Sequence, residues 1–416
     1  MPPDVTYERV NVGGTRNLLA EAVRAGLPKF VFISSLGADR GGSAYHVSKR
    51  EAEVSVSRYA GQWVVLRSGN VYGPGDEVIS KFLSMLRTLP AVPVIGNGLH
   101  EFQPIWYADL GKAIARAVES DVAPGTYELA GADTTSPNDL LGRLERLTDR
   151  HPIRIPVPEF LASLATKIAN LTGLSLPINE SQVLMLLEHN VITAPHENAL
   201  LTVFGVQPTS LDEGLKTLAD AQPEQLPQEG VGGLERKRFW ADISGSAYGP
   251  EELMDQFRRR ITEVIPIEFS AEPGAPQEAV HGATLTASLP LRGNIQIRVE
   301  EVTPREITFA TLRGHPLAGV VRFAARQREN GVLRFTVSVF ARAATTFDWV
   351  AINTVGGVAQ NSNWRTTVER VVELSGGKAG AVQSRSNTVS KQESVEIEER
   401  IGEIVIGQKR DGRAEG

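Results

Sequence analysis

The chain has 416 residues, 41% of them hydrophobic and 22% charged, which is material for two or three cored domains. Its 43 lysines and arginines against 49 acids leave a net charge of −6, and with no basic block this argues against nucleic acid as the main partner. With 0 cysteines there is no disulfide, iron–sulfur cluster, thiolate zinc site or cysteine nucleophile. No apolar run approaches the ~18 residues of a membrane span. The opening MPPDVTYERVN lacks the basic and apolar regions of a signal peptide. The expectation is a soluble, cytoplasmic protein without a transmembrane segment.

Tyr7 to Ala25 reads as a helix, with Val12, Leu19, Ala22 and Val23 at helical spacing and Gly26 and Pro28 as the stop. KFVFISS, Lys29 to Ser35, reads as a buried strand. A second helix is predicted around Ala44 to Arg58 and a strand from Trp63 to Gly69. Helices follow at Val78 to Thr88 and from Asp109, read as a cap, to Val118, with a late strand at Thr126 to Gly131. Such alternation implies a parallel sheet with crossover helices. Residues 135–220 read as mostly helical. Their apolar positions Leu161, Leu164, Ile168, Leu171, Leu184 and Leu187 suit a substrate-domain core better than a membrane-binding face.

Residues 221–234 read as a linker, rich in Pro, Gln, Glu and Gly. Beyond them the pattern changes. One helix from Pro250 to Val264 precedes alternating strands TLTASLPL, IQIRVEEV, EITFATL, VVRFAARQR and LRFTVSVFAR, and a last helix covers Trp364 to Leu374. This is an α+β module with an antiparallel sheet. Residues 377–416, with seven basic and seven acidic residues, read as a disordered tail.

The motif with the most chemistry is Tyr45-His46-Val47-Ser48-Lys49. On a helix, positions i and i+4 share a face, so phenol and ammonium can act together. A nearby positive charge favours the phenolate and lowers the tyrosine pKa. Alone the spacing is weak, and an amphipathic helix with Tyr packed and Lys solvated also explains it. The Ser34-Ser35 strand end upstream and Asn70-Val71-Tyr72-Gly73-Pro74-Gly75 after the next strand change that balance.

With these segments in order (VNVGGTRNLLAEA, FVFISSLGA, SAYHVSK, LRSGNVYGPGD and FQPIWYADLGKAI, then PTSLDEGL near the end), residues 7–220 resemble the short-chain dehydrogenase/reductase superfamily. The likeness is to its extended or atypical, epimerase/dehydratase-like branch, and within it to the group that includes an accessory subunit of respiratory complex I. The resemblance implies that Tyr45 is the general acid/base, and that Lys49 binds the nicotinamide ribose and lowers the Tyr45 pKa. It implies that Ser35 hydrogen-bonds the substrate oxygen and Asn11 holds a proton-relay water, with Ser34 and Asn70 near the cofactor. The implied activity is NAD- or NADP-dependent hydride transfer on a small carbonyl, hydroxyl or sugar-like substrate.

Two features depart from the pattern. Ser35 and Tyr45 are 10 residues apart, closer to the atypical branch than to sugar epimerases. Among the 39 glycines no G-x-G-x-x-G or G-x-x-G-x-x-G occurs, so the phosphate-binding turn is absent, as is the residue that selects NAD or NADP. The first domain therefore reads as a truncated Rossmann-type parallel sheet over 1–220, impaired in cofactor binding.

No two of the seven histidines sit at i, i+4 and there is no H-E-x-x-H, so no metal site is expected. No G-x-S-x-G points to a hydrolase. Residues 236–376, with FWADISGS, ATLTASLP, the GHPLAG turn and Trp364, resemble an uncharacterised family whose pattern implies a helix-grip, START-like fold with an apolar ligand cavity. In that domain, 235–376, His315 reads as a structural turn, and Arg313, Arg322 and Arg342 read as solvent-facing rather than anion-binding. The alternative function is a non-catalytic scaffold acting through this second domain.

Overall fold

The computed structural model describes residues 5–76, 78–159, 190–193, 195–269, 272–289, 293–345, 348 and 357–411. The apolar positions from Leu161 to Leu187 lie outside the described residues. The chain divides into two units at Ala221/Gln222, with Arg87–Pro90 and Leu147–Arg150 counted with the second.

In the first unit a π-helical turn at Glu8–Gly13 leads into α1, Gly14–Arg24. Val12, Leu19 and Ala22 are buried, but Val23 faces solvent, because the buried stripe is narrow and centred on Leu19. The strand β1 (Lys29–Ser35) pairs in parallel with β2 (Gln62–Ser68), and α2 (Ala44–Val56) makes the crossover. A short strand, a helix and a further strand follow: β3 (Val71–Tyr72), α3 (Ile79–Thr88) and β4 (Ala91–Ile95). Then come β5 (Ile105–Trp106), α4 (Tyr107–Glu119), β6 (Gly125–Leu129), α5 (Pro137–Thr148) and β7 (Ile153–Val157). All pairings in this unit's strands are parallel: β1-β2-β6 form one sheet, β3 pairs β5, and β4 pairs β7. Val64, Leu66 and Leu129 point from the sheet into a core shared with Leu110, Ala113 and Ala117 of α4.

The helix read as starting at Asp109 begins two residues earlier, after Trp106. Asp109 is not its cap. The carboxylate is buried and accepts a hydrogen bond from Thr209 N at 2.7 Å, tying the approach to the helix Leu211–Asp220 to α4. Gly69 and Gly131 are required by close approach, since a side-chain carbon at either would collide with a backbone carbonyl, of Gln103 and Pro104 respectively.

The second unit is built on a nine-stranded antiparallel sheet. Its strands are β8 (Val231–Ser244), β9 (Glu268–Phe269), β10 (Thr284–Leu289), β11 (Gly293–Val302), β12 (Glu306–Thr311), β13 (Leu317–Gln327), β14 (Leu333–Ala343), β15 (Lys378–Ala379) and β16 (Gln383–Thr388). From β8 to β9 the order is β8-β14-β13-β12-β11-β10-β9, and β15 and β16 pair the other edge of β8. Residues alternate inward and outward with period two, cleanly on β14, where Leu333, Phe335, Val337, Val339 and Ala341 are buried. The inward face packs on Leu253, Met254 and Phe257 of the helix Pro250–Arg259 and on Val368 and Val371 of the helix Gly357–Leu374.

Three expectations for this half are corrected. The linker is shorter than 221–234: β8 begins at Val231, and Leu234 is buried where two neighbouring glycines had masked a strand. The helix predicted over 250–264 is broken at Arg260, whose backbone leaves the helical region before Ile261–Val264 resumes. Residues 378–411 form two strands and the helix Lys391–Asp411 rather than a disordered tail. Their charges are not all solvated. Glu393 pairs with Arg236 and Glu398 with Arg342 on the sheet's outward face, while Ile397 and Ile401 pack on Ala310, Val320 and Phe340.

Candidate active site

At the carboxyl end of β1 the chain turns through Leu36 and Gly37 to reach α2. Ser43 caps that helix, its hydroxyl accepting from His46 N at 3.2 Å. The cap places Tyr45 in the first turn and Lys49 one turn on. The Ser35 hydroxyl, which donates to Leu36 O at 3.1 Å, lies near enough to the Tyr45 phenol to influence its pKa. Lys49 Nζ donates to Ile33 O at 2.9 Å, 5.1 Å from the Phe32 ring centre and 5.9 Å from that of Tyr45. Ser35, Tyr45 and Lys49 are thus brought together, and Tyr7 closes over Tyr45 edge-on at 5.6 Å.

The electrostatics differ from expectation in one respect. The Tyr45 pKa is raised, not lowered: burial is the largest cause, partly offset by the nearby Ser35 hydroxyl. The ammonium of Lys49, over the ring at 5.9 Å from its centre, does not reverse this. Its own pKa is lowered by burial, with the Glu53 carboxylate acting in the opposite sense.

The other sequence candidates fall around this cluster. Asn11 Nδ2 donates to Ser48 Oγ at 2.9 Å, and Ser48 Oγ donates to Tyr45 O at 2.7 Å, so Asn11 reaches the tyrosine's backbone through one serine. Ser34, on the opposite face of β1 from Ser35, donates its hydroxyl to Glu53. The side-chain oxygen of Asn70 accepts from Asn190 Nδ2 at 2.7 Å, past the end of β2.

Two groups were not singled out from sequence. The first is a row across the sheet, Ser34–Arg67–Glu128, set by the parallel register. Arg67 is bidentate to Glu53 at 3.0 and 2.8 Å, 2.9 Å from Asp39 and 3.7 Å from Glu128, whose carboxylate is buried. The signal was available, since Tyr45, Lys49 and Glu53 follow at i, i+4 and i+8. The second is His46, buried, with Nε2 3.5 Å from Ser35 Oγ and Nδ1 3.1 Å from Ser43 Oγ. A side-chain carbon at Gly41 would collide with its ring. Among the described residues no cluster of three or more His, Asp or Glu is arranged to hold a metal ion, and no helix is long and apolar enough to cross a membrane.

Residues 2–130 match the NAD dependent epimerase/dehydratase family, and residues 251–370 match a Domain of unknown function (DUF1990). Among curated proteins the chain is 24% identical over 173 residues to the mitochondrial NADH dehydrogenase [ubiquinone] 1 alpha subcomplex subunit 9 of Arabidopsis thaliana, covering 40% of this chain and 43% of that one. It is 34% identical over 131 residues to the dTDP-D-glucose 4,6-dehydratase of Mus musculus, covering 26% and 36%. A solved UDP-glucose 4-epimerase from Thermotoga maritima with UDP-glucose aligns at 20% identity and a TM-score of 0.40, covering 51% of this chain and 69% of that one. The chain spans about half the length of the first curated relatives it matches. Residues 2–130 of the first unit are thus similar to the NAD dependent epimerase/dehydratase family, and NADH dehydrogenase [ubiquinone] 1 alpha subcomplex subunits 9 are among the proteins it resembles.

Proposed function

We infer that the first unit binds NAD or NADP and performs hydride transfer on a carbonyl or hydroxyl of a small, sugar-like substrate. The observation that carries this reading is the placement of Tyr45 and Lys49 one helical turn apart on α2, Lys49 Nζ 5.9 Å from the Tyr45 ring centre, with the Ser35 hydroxyl at the carboxyl end of β1 near enough to act on the phenol. In parallel sheets this end of the strands is where ligands bind. The nicotinamide, when bound, supplies or accepts the hydride. Tyr45, held protonated by burial, gives its proton to a substrate carbonyl oxygen in the reductive direction, and Ser35 hydrogen-bonds the same oxygen. Lys49 has two N–H donors left for ribose hydroxyls after its bond to Ile33 O. Asn70 has its amide N–H donors left for the cofactor after its oxygen is taken by Asn190. Ser34 acts at one remove, holding Glu53 in place, and Asn11 braces Tyr45 through Ser48. These residues fit the nicotinamide–ribose end of a dinucleotide. Nothing in the sequence supplies the glycine-rich cradle for its pyrophosphate, so binding is expected to be weak.

Calorimetric titration with NADH and NADPH tests the reading. One of the two should bind with a dissociation constant no weaker than about 1 mM, roughly −4 kcal/mol. Lys49→Met should abolish that binding. Tyr45→Phe should keep it and lose conversion of UDP-glucose or dTDP-glucose, the sugar nucleotides handled by relatives of this unit. Absence of binding by both nucleotides overturns the proposal.

A second reading, a scaffold whose second unit takes an apolar ligand in a helix-grip-like fold, is favoured by Trp364. Its indole N–H is buried beside Phe323 and has no hydrogen-bond partner among the described residues. An orphaned donor of this kind costs about 1–3 kcal/mol, which a ligand oxygen would recover. Titration with oleate, followed by the indole ¹⁵N–H resonance missing in Trp364→Phe, should move that signal. An unmoved resonance at saturation removes this reading.

A further inference from the structure

Among the described residues, one strip of the antiparallel sheet's outward face is exposed beside the terminal helix. The terminal helix Lys391–Asp411 lies across one set of rows, where Glu393 meets Arg236 and Glu398 meets Arg342. Two residues along the strands the next row reads Arg385, Arg238, Ser338, Arg322 and Thr308 from β16 to β12, as the register dictates. Side chains two apart on a strand share a face, so this row stands on the same side as Arg236. Arg322 is answered by Thr308 and lies 3.9 Å from Glu301. Arg238 and Arg385 are exposed, stand directly opposite each other across the strand pair, and have no acidic partner among the described residues. Like charges in that position destabilise a sheet. The half-buried Trp240 stands in the row beyond, on the same face.

The terminal helix has a matching surplus. Its inward side carries Ser394, Ile397, Glu398, Ile401 and Val405, and its outward side carries Glu396, Glu399 and Glu403 with Arg400 and Val395, all exposed, so the acids there outnumber the one base. Glu396 and Glu399 are about 4.5 Å apart along the axis. The arginines of adjacent strands are about 4.8 Å apart.

We propose that this sheet face is the interface of a twofold dimer, in which the terminal helix of a second copy lies antiparallel beside the first. Two helices then form a layer between two sheets. Each keeps Glu393 and Glu398 on its own sheet and presents Glu396 and Glu399 to Arg385 and Arg238 of the other copy. The same patch serves both copies, as a twofold requires. The occupant is a second copy because the acidic face that fits the arginines is carried by this chain, and because the adjoining rows already bind this helix by carboxylate–guanidinium pairs.

Sedimentation velocity on the full chain tests this at about 50 mM and about 500 mM salt, where screening differs severalfold. The expected result is a dimer whose dissociation constant weakens at least about tenfold at the higher salt. The double variant Arg238→Glu/Arg385→Glu, and separately Glu396→Lys/Glu399→Lys, should each be monomeric with unchanged far-ultraviolet circular dichroism. An equimolar mixture of the two should dimerise again, because each sheet then meets a helix of opposite charge at both contacts. A monomer at every concentration, a reversed variant that remains dimeric, or a mixture that stays monomeric overturns the proposal. Should a reversed variant misfold, the neutral set Arg238→Gln/Arg385→Gln must still weaken the dimer.

Discussion

Tyr45 and Lys49 are held by opposite consequences of one cause. Burial disfavours charge on both, raising the phenol and lowering the ammonium. A phenol with a raised pKa stays protonated well past neutrality and is an acid first. The reductive rate should therefore be flat through neutral pH and fall only as pH rises through a Tyr45 pKa above its ordinary 10.0. A pH–rate profile that falls near neutrality would show that another group supplies the proton. Arg67 is the residue on which the surrounding network rests. Removing it as Arg67→Met leaves the buried Glu53 and Glu128 carboxylates uncompensated, at an expected cost of about 3–5 kcal/mol in denaturant titration. Neutralising Glu53 as well, as Glu53→Gln, should recover part of the loss.

At the scale of elements, the parallel register makes neighbours of residues far apart in the chain. It aligns Ser34, Arg67 and Glu128 in one row and Ser35 with Ser68 in the next. A strand's two-residue period then sends Ser34 and Ser35 to opposite faces, which is why adjacent serines of one motif enter different networks. The terminal helix was missed from composition because balanced charge and few aromatics read as solvation. The pattern Ile397, Ile401, Val405 at i, i+4, i+8 was legible, but its partner surface, Ala310, Val320 and Phe340, exists only once three strands are assembled. Ile401→Ala should cost about 2–4 kcal/mol. Deleting Lys391–Asp411 should expose that surface and raise binding of a hydrophobic dye. A deletion variant as stable as the full chain would show that the helix only rests on the sheet.

Over the whole molecule the two units differ in kind, one with parallel strands and crossover helices, the other with an antiparallel sheet and helices before and after most of its strands. Among the described residues, the core clusters of the two units share none. Leu66 belongs to one and Phe257 to the other. Leu66→Ala is expected to cost about 2–5 kcal/mol and Phe257→Ala about 3–5 kcal/mol. As sites in separate cores they should sum in the double variant to within about 0.5 kcal/mol. A larger departure in equilibrium unfolding would mean that the two cores are energetically coupled.

The sequence by itself determined the class of each half, the helices and the strands β1, β2 and β6 through residue 131 but not the intervening β3, β4 and β5, five of the later strands, and the Tyr45–Lys49 pair. All of these follow from local periodicity, caps and turn residues, whose information lies within a few residues of each position. The tertiary structure decided what long-range pairing decides. It set the company Ser34 keeps, the raised phenol of Tyr45, the burial of His46 behind Gly41, and the capture of the charged terminal helix by a sheet. Burial and charge partners depend on strands brought together from distant parts of the chain, and no local pattern records which strand will lie beside which.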